Sequence, residues 1–382
     1  MTDERLARAA LTRLTEPADL RVTGALAQIG AVRLYEEVLA REAPAGLVAD
    51  TGVRLAGADP VRELEEAERR GVRFVIPGDD EWPEQLDALA HSEPVSELGG
   101  VPIGLWVRGP LRLDQLADSV AIVGSRTSTT YGEHAAREIA AGVARAGHTV
   151  VSGAAFGIDQ AAHRGALALD HPSVAVLACG VDRPYPTAHR SLIEHMAQVG
   201  AVVSELPLGC APLKVRFLAR NRLIASLTRG TVLVEAAIRS GALNTAGWAE
   251  SLSRPLMGVP GAVTSAQSQG VHHWIRRGAA SLVTCPADVL AVVGGMGDHL
   301  PETPRDAEHP RDRLTRRHHR VLEAVPVRQP APLASIAATA GVGLLEVQRT
   351  LTYLAERRFV DQTPSGWRLG ERALADLPGR AP

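Results

Sequence analysis

The amino-acid sequence predicts an α/β fold with a parallel sheet at its centre, a helical domain before it and a winged helix after it. Two observations carry this prediction. Between residues 120 and 283, short apolar runs rich in β-branched residues alternate with helical segments, which is typical of a parallel sheet covered on both faces. After a stretch rich in glycine and proline, the last part of the chain shows three helical segments and a hairpin pattern.

The first 66 residues are predicted to form the helical domain. Residues 21–28 and 31–41 carry apolar side chains at helical spacing, and Gly30 separates the two segments. A helix-hairpin-helix element, which binds backbone phosphates, would place a glycine turn at this point. The double glycine that is usual in that element is absent, so the sequence favours a plain helical bundle.

Residues 67–295 are predicted to contain the sheet. A charged helix over 63–70 ends at Gly71, and residues 72–76 follow as a strand before a Pro-Gly-Asp-Asp turn. Further strands are predicted at residues 120–123, 149–151, 174–177, 201–203, 231–234, 256–259 and 281–283. Helices are predicted between them at residues 132–146, 159–169, 188–199, 217–227, 245–251 and 272–277. Sheets of this kind bind ligands at the carboxyl ends of their strands, where the strand order reverses.

The predicted C-terminal part consists of a linker at 296–312, a winged helix at 313–372 and a tail at 373–382. The linker is rich in glycine, proline, arginine and acidic residues. The winged helix combines helices predicted at residues 313–325, 333–340 and 344–357 with a hairpin predicted at residues 359–361 and 366–369.

The role of this last domain is open between two alternatives. Arg349, Arg357 and Arg358, in and after the third predicted helix, are suited to contacts with duplex DNA. Glu346 and Glu356 lie on the same segment, which is equally consistent with a module that docks a protein.

The overall composition is that of an ordinary globular protein, with 45% apolar and 22% charged residues. Because the net charge is −2, any affinity for nucleic acid must come from local patches, and a uniformly basic coat protein is excluded. The three cysteines are widely spaced, which suggests neither a disulfide framework nor a zinc site. No apolar run reaches membrane-spanning length, and no signal peptide follows Met1, so we expect a cytoplasmic protein.

A concentration of positive charge begins at Lys214, the only lysine in the chain. No carboxylate occurs between Glu205 and Glu235, whereas this interval contains the basic residues Lys214, Arg216, Arg220, Arg222 and Arg229. Together with Phe217, they offer cations for phosphates and a ring for stacking on a base. A solvated helix face is an equally good interpretation of the charge pattern alone.

Three turns combine glycine with a hydroxyl or a cation near the end of a predicted strand: Gly124-Ser125-Arg126, Ser152-Gly153 and Ser240-Gly241. Glycine lets a phosphate approach the backbone, and amides at a helix start hold it. One such turn is often only a tight connection, but three beside a basic helix indicate a polyphosphate ligand. NAD is poorly supported, because the sequence is not Gly-x-Gly-x-x-Gly and no acidic residue ends the second strand. Tyr185, after the third strand, is expected to close the site.

Several motifs occur together in a fixed order. They are Ile122-Val123-Gly124-Ser125-Arg126, Ser152-Gly153-x-Ala155-x-Gly157-Ile158-Asp159, Tyr185-Pro186, Phe217-x-x-Arg220-Asn221-Arg222-x-Ile224 and Glu235-Ala236-x-x-x-Ser240-Gly241-x-x-x-Thr245-Ala246. In this combination the chain resembles the bacterial DNA-processing protein A family (DprA, also called Smf) over essentially its whole length. The resemblance implies an extended Rossmann-like domain between the helical domain and the winged helix. Leu218 and His189 depart from the family pattern, in which proline and asparagine are usual.

The resemblance implies a sequence-independent single-stranded DNA-binding protein and not an enzyme, with no cofactor and no metal. Family members protect incoming single strands during natural transformation and recombination, load the RecA recombinase and form homodimers through the Rossmann-like domain. Carried across by motif, the expected DNA-binding residues are Gly124, Ser125, Arg126, Gly153, Lys214, Phe217, Arg220, Asn221 and Ser240. Arginine forks and helix-start amides grip phosphates without reading sequence, and stacking on Phe217 would add about 1–3 kcal/mol per base.

Two other functions are weighed against the same residues. The first is a nucleotide phosphoribohydrolase of the lysine-decarboxylase-like group, whose chemistry requires a carboxylate beside the glycosidic bond. Glu235 and Glu250 are the candidates, but the Pro-Gly-Gly-x-Gly-Thr-x-x-Glu sequence expected of that group is absent. The second is a winged-helix transcription regulator with a ligand-sensing domain, which would prefer a defined duplex operator.

Overall fold

The computed structural model describes residues 3–295 and 310–375, and within them it contains a nine-stranded and a two-stranded sheet. The chain divides into two units, residues 1–301 and 302–382. The larger sheet belongs to the first unit and the smaller sheet to the second. In the first unit the strands are β1 (Val72–Val75), β2 (Leu105–Arg108), β3 (Val120–Val123), β4 (Val150–Ser152), β5 (Ser173–Val176), β6 (Ala201–Ser204), β7 (Gly230–Leu233), β8 (Leu256–Gly258) and β9 (Ser281–Leu282).

The strand order of the larger sheet is β1-β2-β6-β5-β4-β3-β7-β8-β9. All pairs from β6 to β9 are parallel, which confirms the predicted α/β class. At the other edge, β2 pairs antiparallel with both β1 and β6, so the sheet is mixed there and its parallel core extends from β6 to β9. The chain between β1 and β2 contains a 3₁₀ helix, Glu84–Ala90, and no α-helix, and an antiparallel return needs no crossover helix.

The helices of the first unit fall into an N-terminal group and a sheet-covering group. The N-terminal group is α1 (Asp3–Leu14), α2 (Leu20–Ile29), α3 (Ala31–Ala40), α4 (Ala45–Leu55) and α5 (Pro60–Arg69). The second group is α6 (Thr130–Arg145), α7 (Ile158–Leu167), α8 (Arg190–Val199), α9 (Lys214–Leu227), α10 (Ala242–Ser251), α11 (Gln269–Arg276) and α12 (Pro286–Val293). Gly30 joins α2 to α3 with a φ of 77°, a conformation that glycine adopts at little cost.

The N-terminal helices surround an apolar core of their own and also pack on the sheet edge. Leu11, Leu34 and Leu47 belong to the helical core. On the sheet side, Phe74 and Trp106 stack with ring centroids 4.4 Å apart and share a cluster with residues of α1 and α5. The predicted boundary at residue 66 falls within α5, and the helices and the sheet together form one compact unit.

The parallel part of the sheet is covered on both faces, as its continuous apolar strands predict. Val120 and Ile122 of β3 pack in one cluster with α6, α7 and α12. Ala121 and Val123 pack in another cluster with α9, α10 and α11. Alternate side chains of one strand therefore enter two cores, which is why every residue of β3 is apolar.

The strand order reverses at β3. From β3 the chain proceeds outward through β4 and β5 to β6 on one side, and it returns to place β7, β8 and β9 on the other side. The connections after β3 and β7 therefore diverge, and a crevice opens between them at the carboxyl ends of the strands.

The second unit contains the three helices and the hairpin in the order predicted for a winged helix. Its elements are a 3₁₀ helix (Pro310–Arg313), α13 (Arg316–Glu323), α14 (Leu333–Ala340), α15 (Leu344–Glu356), β10 (Val360–Thr363), β11 (Gly366–Leu369) and α16 (Glu371–Ala375). A separate apolar core that includes Phe359 and Trp367 holds them together. Residues 296–309 of the predicted linker and 376–382 of the predicted tail lie outside the described residues. In the described part of the chain, no helix combines the length and the apolar character that crossing a bilayer requires.

Candidate functional site

A cavity of about 690 Å³ lies where the strand order reverses. Its wall is formed by the turns after β3, β4, β5 and β7, by α9 as far as Ile224 and by the start of α10. All the expected DNA-binding residues except Gly153 line it, namely Gly124, Ser125, Arg126, Lys214, Phe217, Arg220, Asn221 and Ser240. The structure therefore brings together residues that are more than 100 positions apart in the sequence, as Gly124 and Ser240 are.

The turn after β3 is held in place by the end of β7. The backbone N–H of Ser125 donates to the carbonyl of Glu235 over 2.6 Å, and the Ser125 hydroxyl accepts from the N–H of Thr127 over 3.1 Å. A Cβ at Gly124 would lie 2.6 Å from Ile158 Cγ1 and 2.8 Å from the Glu235 carbonyl, so the close approach of these strands requires glycine. The next side chain, Arg126, is exposed.

Phe217 forms the aromatic part of the cavity wall. The Arg126 guanidinium lies 4.8 Å from the centre of its ring, and the Tyr185 ring lies 5.7 Å away between centroids. The ring is half-buried, so part of its surface stays available. An arginine beside an available ring is the combination that binds a phosphate and an adjacent base at once.

The basic residues of α9 divide into buried and exposed ones. Arg216 forms an ion pair with Glu16 over 2.8 Å, and Arg222, whose side chain is fully buried, pairs with Glu205. Lys214 is exposed, and within the described residues no carboxylate lies within ion-pair distance of it. Arg216 and Arg222 are therefore neutralised by carboxylates elsewhere in the chain, whereas Lys214 at the start of the run stays available.

Arg220 is buried and acts as a brace between the ends of two strands. It donates to the carbonyl of Gly153 over 2.9 Å and also to the carbonyl of Val176. Burial lowers the pKa of Arg220 to about 10, so the guanidinium remains charged at neutral pH. Its position contributes positive charge to the cavity wall, which it also holds in place.

Gly153 lies behind the cavity wall instead of lining it. A Cβ at this position would meet the Arg220 guanidinium at 2.1 Å, and the Gly153 N–H donates to Asp159 Oδ2 over 3.1 Å. Burial raises the pKa of the Asp159 carboxyl. The N–H and the carbonyl of Gly153 thus both have partners inside the protein. The absence of a side chain at this position leaves room for the Arg220 guanidinium.

The turn before α10 is connected to α9 through Asn221. The Asn221 amide donates to the Gly241 carbonyl and to Asn244 Oδ1, both over 3.3 Å. The Ser240 hydroxyl accepts from the N–H of Ala242 over 3.3 Å. Asn221 therefore fixes the position of the turn that carries Ser240, at the positive end of the α10 dipole.

Arg239 is a cavity residue that the sequence analysis did not select. It is exposed, as are Arg126 and Lys214, and all three line the cavity. The sequence does contain an indication of its role, because Arg239 directly precedes the Ser240-Gly241 turn. The carboxyl in the lining, that of Asp159, is buried, so the mouth of the cavity is positively charged.

The two carboxylates considered for hydrolysis do not line the cavity. Glu235 is buried at the start of α6, where it accepts from the Thr129 N–H over 2.8 Å and from the Thr129 hydroxyl over 2.6 Å. Glu250 pairs with Arg277 at the surface. Across residues 3–295 and 310–375, no group of His, Cys, Asp and Glu side chains is suited to hold a metal ion.

In the second unit, the charged residues of α15 are partly engaged by neighbours. Glu346 pairs with Arg317 over 2.6 Å, and the Arg357 guanidinium lies 3.7 Å from the centre of the Tyr353 ring. Contact with duplex DNA and docking of a protein both stay predictions for this unit.

Comparison with known proteins agrees with the resemblance seen in the sequence. The family model described as DNA recombination-mediator protein A matches residues 73–294. The putative DNA processing protein DprA of Mycobacterium tuberculosis is 40% identical over 365 residues, which cover 94% of this chain and 92% of that protein. Protein Smf of Escherichia coli is 38% identical over 235 residues, which cover 61% of this chain and 60% of that protein.

Comparison with solved structures also identifies DNA-processing proteins. DprA from Streptococcus pneumoniae is 30% identical and superposes with a TM-score of 0.62, covering 76% of this chain and 98% of that chain. DNA processing protein A from Helicobacter pylori, whose structure concerns its single-stranded DNA binding mode, is 27% identical with a TM-score of 0.50, covering 57% of this chain and 94% of that chain. This family consists of DNA recombination mediators and not of enzymes, which argues against a phosphoribohydrolase. The chain belongs to the DprA/Smf family of DNA recombination-mediator proteins.

Proposed function

We propose that this chain binds single-stranded DNA in the cavity at the strand-order reversal, without sequence preference, and thereby acts as a recombination mediator. The observation that carries the proposal is the half-buried Phe217 ring beside the exposed Arg126, with Lys214 and Arg239 on the same cavity. Cations track the phosphates of a single strand, while a ring accepts the face of any base.

The cavity offers contacts for phosphates and a base face but little for reading base edges. Sequence readout requires side chains that form paired hydrogen bonds with base edges. Asn221, the amide in the lining, already donates to Gly241 and Asn244. The buried Asp159 carboxylate already accepts from the backbone N–H of Gly153 and of Ala155. Discrimination among bases is therefore expected to be weak.

The decisive experiment measures binding of fluorescent oligo(dT) and of the matching duplex across a salt series. For a single strand, each phosphate contact contributes about 0.7 to the slope of log affinity against log salt. We expect Arg126→Ala and Lys214→Ala each to weaken binding and to reduce that slope by about 0.7. The matched control is Arg145→Ala, because Arg145 is exposed at the far end of α6, away from the turn after β3 at which α6 begins.

Binding that survives the Arg126→Ala, Lys214→Ala double change with an unaltered slope would remove this cavity as the DNA site. Duplex preference with indifferent cavity variants would transfer DNA binding to the second unit. An equal loss of oligo(dT) affinity in Arg145→Ala would show that binding depends on the overall charge of the protein and not on this cavity.

The finer role that we propose is to protect incoming single strands and load RecA during natural transformation or recombination, in the cytoplasm. Membership of a family of recombination mediators supports this role. The test is RecA-catalysed strand exchange on DNA precoated with a single-strand-binding protein. We expect the wild-type chain to stimulate strand exchange and Arg126→Ala not to stimulate it. Equal strand exchange with and without the chain would contradict RecA loading.

We also propose a homodimer formed through the Rossmann-like domain, on the strength of the family resemblance. Sedimentation equilibrium of residues 1–301, which form a compact unit, and of the full chain would test it. Equal dimer affinity in both supports the proposal, whereas a monomer for residues 1–301 beside a dimeric full chain would contradict it.

A further inference from the structure

We propose that the bound single strand continues beyond the cavity, across the turns after β5 and β4, to a second stacking platform at Phe156. The platform consists of Phe156 packed on His189, and the exposed cations Arg164 and Arg190 serve it. This inference rests on the proposed function, since it extends the path of the same strand.

The first argument is the location of the exposed aromatic side chains. In the described part of the chain, the tyrosine, phenylalanine and tryptophan residues classed as exposed are Tyr131 at 51%, Phe156 at 45% and Tyr185 at 42%. They follow β3, β4 and β5 in turn, so all three lie at the carboxyl ends of the strands, around the cavity. Aromatic rings exposed together at the carboxyl ends of neighbouring strands indicate a ligand-binding surface.

The second argument is that Phe156 is held in a fixed position although it is exposed. Its ring meets the His189 ring edge-on, with centroids 4.5 Å apart. His189 Nδ1–H donates to the Ala154 carbonyl over 2.9 Å. With its amide oriented by the hydrogen-bond network, Gln160 donates to His189 Nε2 over 2.7 Å and accepts from Arg164 over 2.9 Å. The ring is thus ordered before any ligand arrives, which lowers the entropy cost of stacking.

The third argument is charge. Arg164 and Arg190 are exposed, and the structure pairs neither of them with a carboxylate of the described residues. Arg164 is joined to the platform through Gln160, and Arg190 follows His189 directly. A ring with nearby cations repeats the chemistry found at Phe217 and Arg126, and both components are needed to bind a single strand.

Tyr131, the exposed ring on the opposite side, lacks these properties. Its hydroxyl donates to the Pro260 carbonyl over 2.6 Å, so the side chain is bound to its own protein. The surrounding turn contains Glu133, and the buried Glu235 also lines the adjacent depression. Glu133 is already paired with Arg137 over 3.3 Å, so the described side chains around Tyr131 offer no cation comparable to Arg164 and Arg190. A strand leaving the cavity is therefore drawn toward Phe156 and not toward Tyr131.

The platform is also mechanically connected to the cavity. Gly157, next to Phe156, packs so closely that a Cβ there would lie 2.3 Å from the Ser125 carbonyl. The N–H of Ile158 donates to the same carbonyl over 3.2 Å. The turn that carries Arg126 and the turn that carries Phe156 therefore form one rigid surface, with the Tyr185 ring beside Phe217 as the intermediate step.

The experiment compares two oligo(dT) lengths, about 6 and about 20 nucleotides, one near the lower end of the usual site sizes of about 4–16 nucleotides and one above them. For each length the affinity of a variant is divided by that of the wild type, which cancels the statistical advantage of the longer strand. We expect Phe156→Ala to weaken binding of the long strand at least about fivefold more than binding of the short strand, the factor expected from the weakest base–aromatic stack. Phe156→Trp, which keeps a ring, restores the long-strand affinity.

Two further variants determine the path of the strand. Arg190→Ala should reduce the salt slope for the long strand by about 0.7 and leave the slope for the short strand unchanged. Tyr131→Ala serves as the matched exposed aromatic and should affect both lengths equally. Equal losses at both lengths for Phe156→Ala, or a long-strand loss confined to Tyr131→Ala, would overturn the inference while leaving cavity binding intact. If the wild type binds neither length, the proposed function itself fails.

Discussion

Replacing Arg222 by alanine should destabilise the protein severely without removing a DNA contact. The Arg222 guanidinium is fully buried and donates to both carboxylate oxygens of Glu205, one of them over 2.6 Å. It also donates to the carbonyl of Gly100 over 3.1 Å and to the carbonyl of Ala219 over 3.0 Å. Arg222→Ala removes all four hydrogen bonds and leaves the Glu205 carboxylate without a cation in a buried place.

The expected cost follows from these contacts. Removing one partner of a buried ion pair costs about 3–5 kcal/mol, because the remaining charge is uncompensated. For a unit of this size, about 1 kcal/mol shifts the melting temperature by roughly 2 °C. We therefore expect the melting temperature of Arg222→Ala to fall by about 6–10 °C.

The assay is urea unfolding followed by circular dichroism, combined with thermal melting, for three proteins. They are the wild type, Arg222→Ala, and the double variant Arg222→Met with Glu205→Leu. The double variant should recover most of the lost free energy of unfolding, because it removes the unpaired charge together with its partner. In the same preparations, its oligo(dT) affinity should stay within about twofold of the wild type, since phosphate contacts, not buried pairs, set that affinity.

Two results would refute this reasoning. If Arg222→Ala loses less than about 1 kcal/mol of stability, the pair behaves like an exposed ion pair and not like a buried one. If the double variant is stable but binds oligo(dT) with a reduced salt slope, Arg222 contacts phosphate after all, and the division of the α9 cations into buried and exposed ones is mistaken.

Three further predictions concern other parts of the first unit. Gly157→Ala should cost about 1–3 kcal/mol in strain and weaken oligo(dT) binding, because a Cβ there would lie 2.3 Å from the Ser125 carbonyl at a φ of 75°. The control is Gly147→Ala, which has a φ of 91° and open space around it. It should lower the stability and leave the oligo(dT) affinity unchanged. Burial lowers the pKa of His163 to about 3 from 6.5, so the stability due to its neutral form is complete above pH 6.5 and is lost toward pH 3. In urea unfolding across that window, the free energy of unfolding of the wild type should fall by about 1.4 kcal/mol more per unit of decreasing pH than that of His163→Asn. Parallel pH profiles of the two proteins would contradict the lowered pKa of His163. Arg239→Ala should reduce the salt slope of oligo(dT) binding by about 0.7, and an unchanged slope would exclude a phosphate contact there.

The parts of the fold that the sequence predicts well are those determined by local pattern. The four residues of β3 are apolar because the strand is buried on both faces, and this pattern is visible without knowledge of any partner. β2 is equally short but includes Arg108, and it follows a region rich in glycine and proline. It is stabilised as a strand by antiparallel pairing with β6, about 95 residues later. Pairing over such a distance cannot be read from local sequence.

The same distinction explains the outcome at the site. Glycine and hydroxyl residues at strand ends predict the turns around Ser125 and Ser240 because turn chemistry is local. Whether an arginine is available for DNA depends on carboxylates elsewhere in the chain. Arg216 is neutralised by Glu16, which is 200 positions away, and nothing near Arg216 in the sequence indicates this. The basic run therefore overestimates the number of available cations.

The reversal of strand order at β3 also has a consequence for when function arises during synthesis. One side of the cavity comes from the turns after β3, β4 and β5, whereas the other side comes from α9 and from the turn after β7, up to Thr245. A nascent chain that has reached β6 contains six of the nine strands and the turns of only one side of the cavity. The proposed DNA site is thus complete only after the ribosome has released the residues through the start of α10, so we expect a growing chain not to bind nucleic acid there while its core is still incomplete.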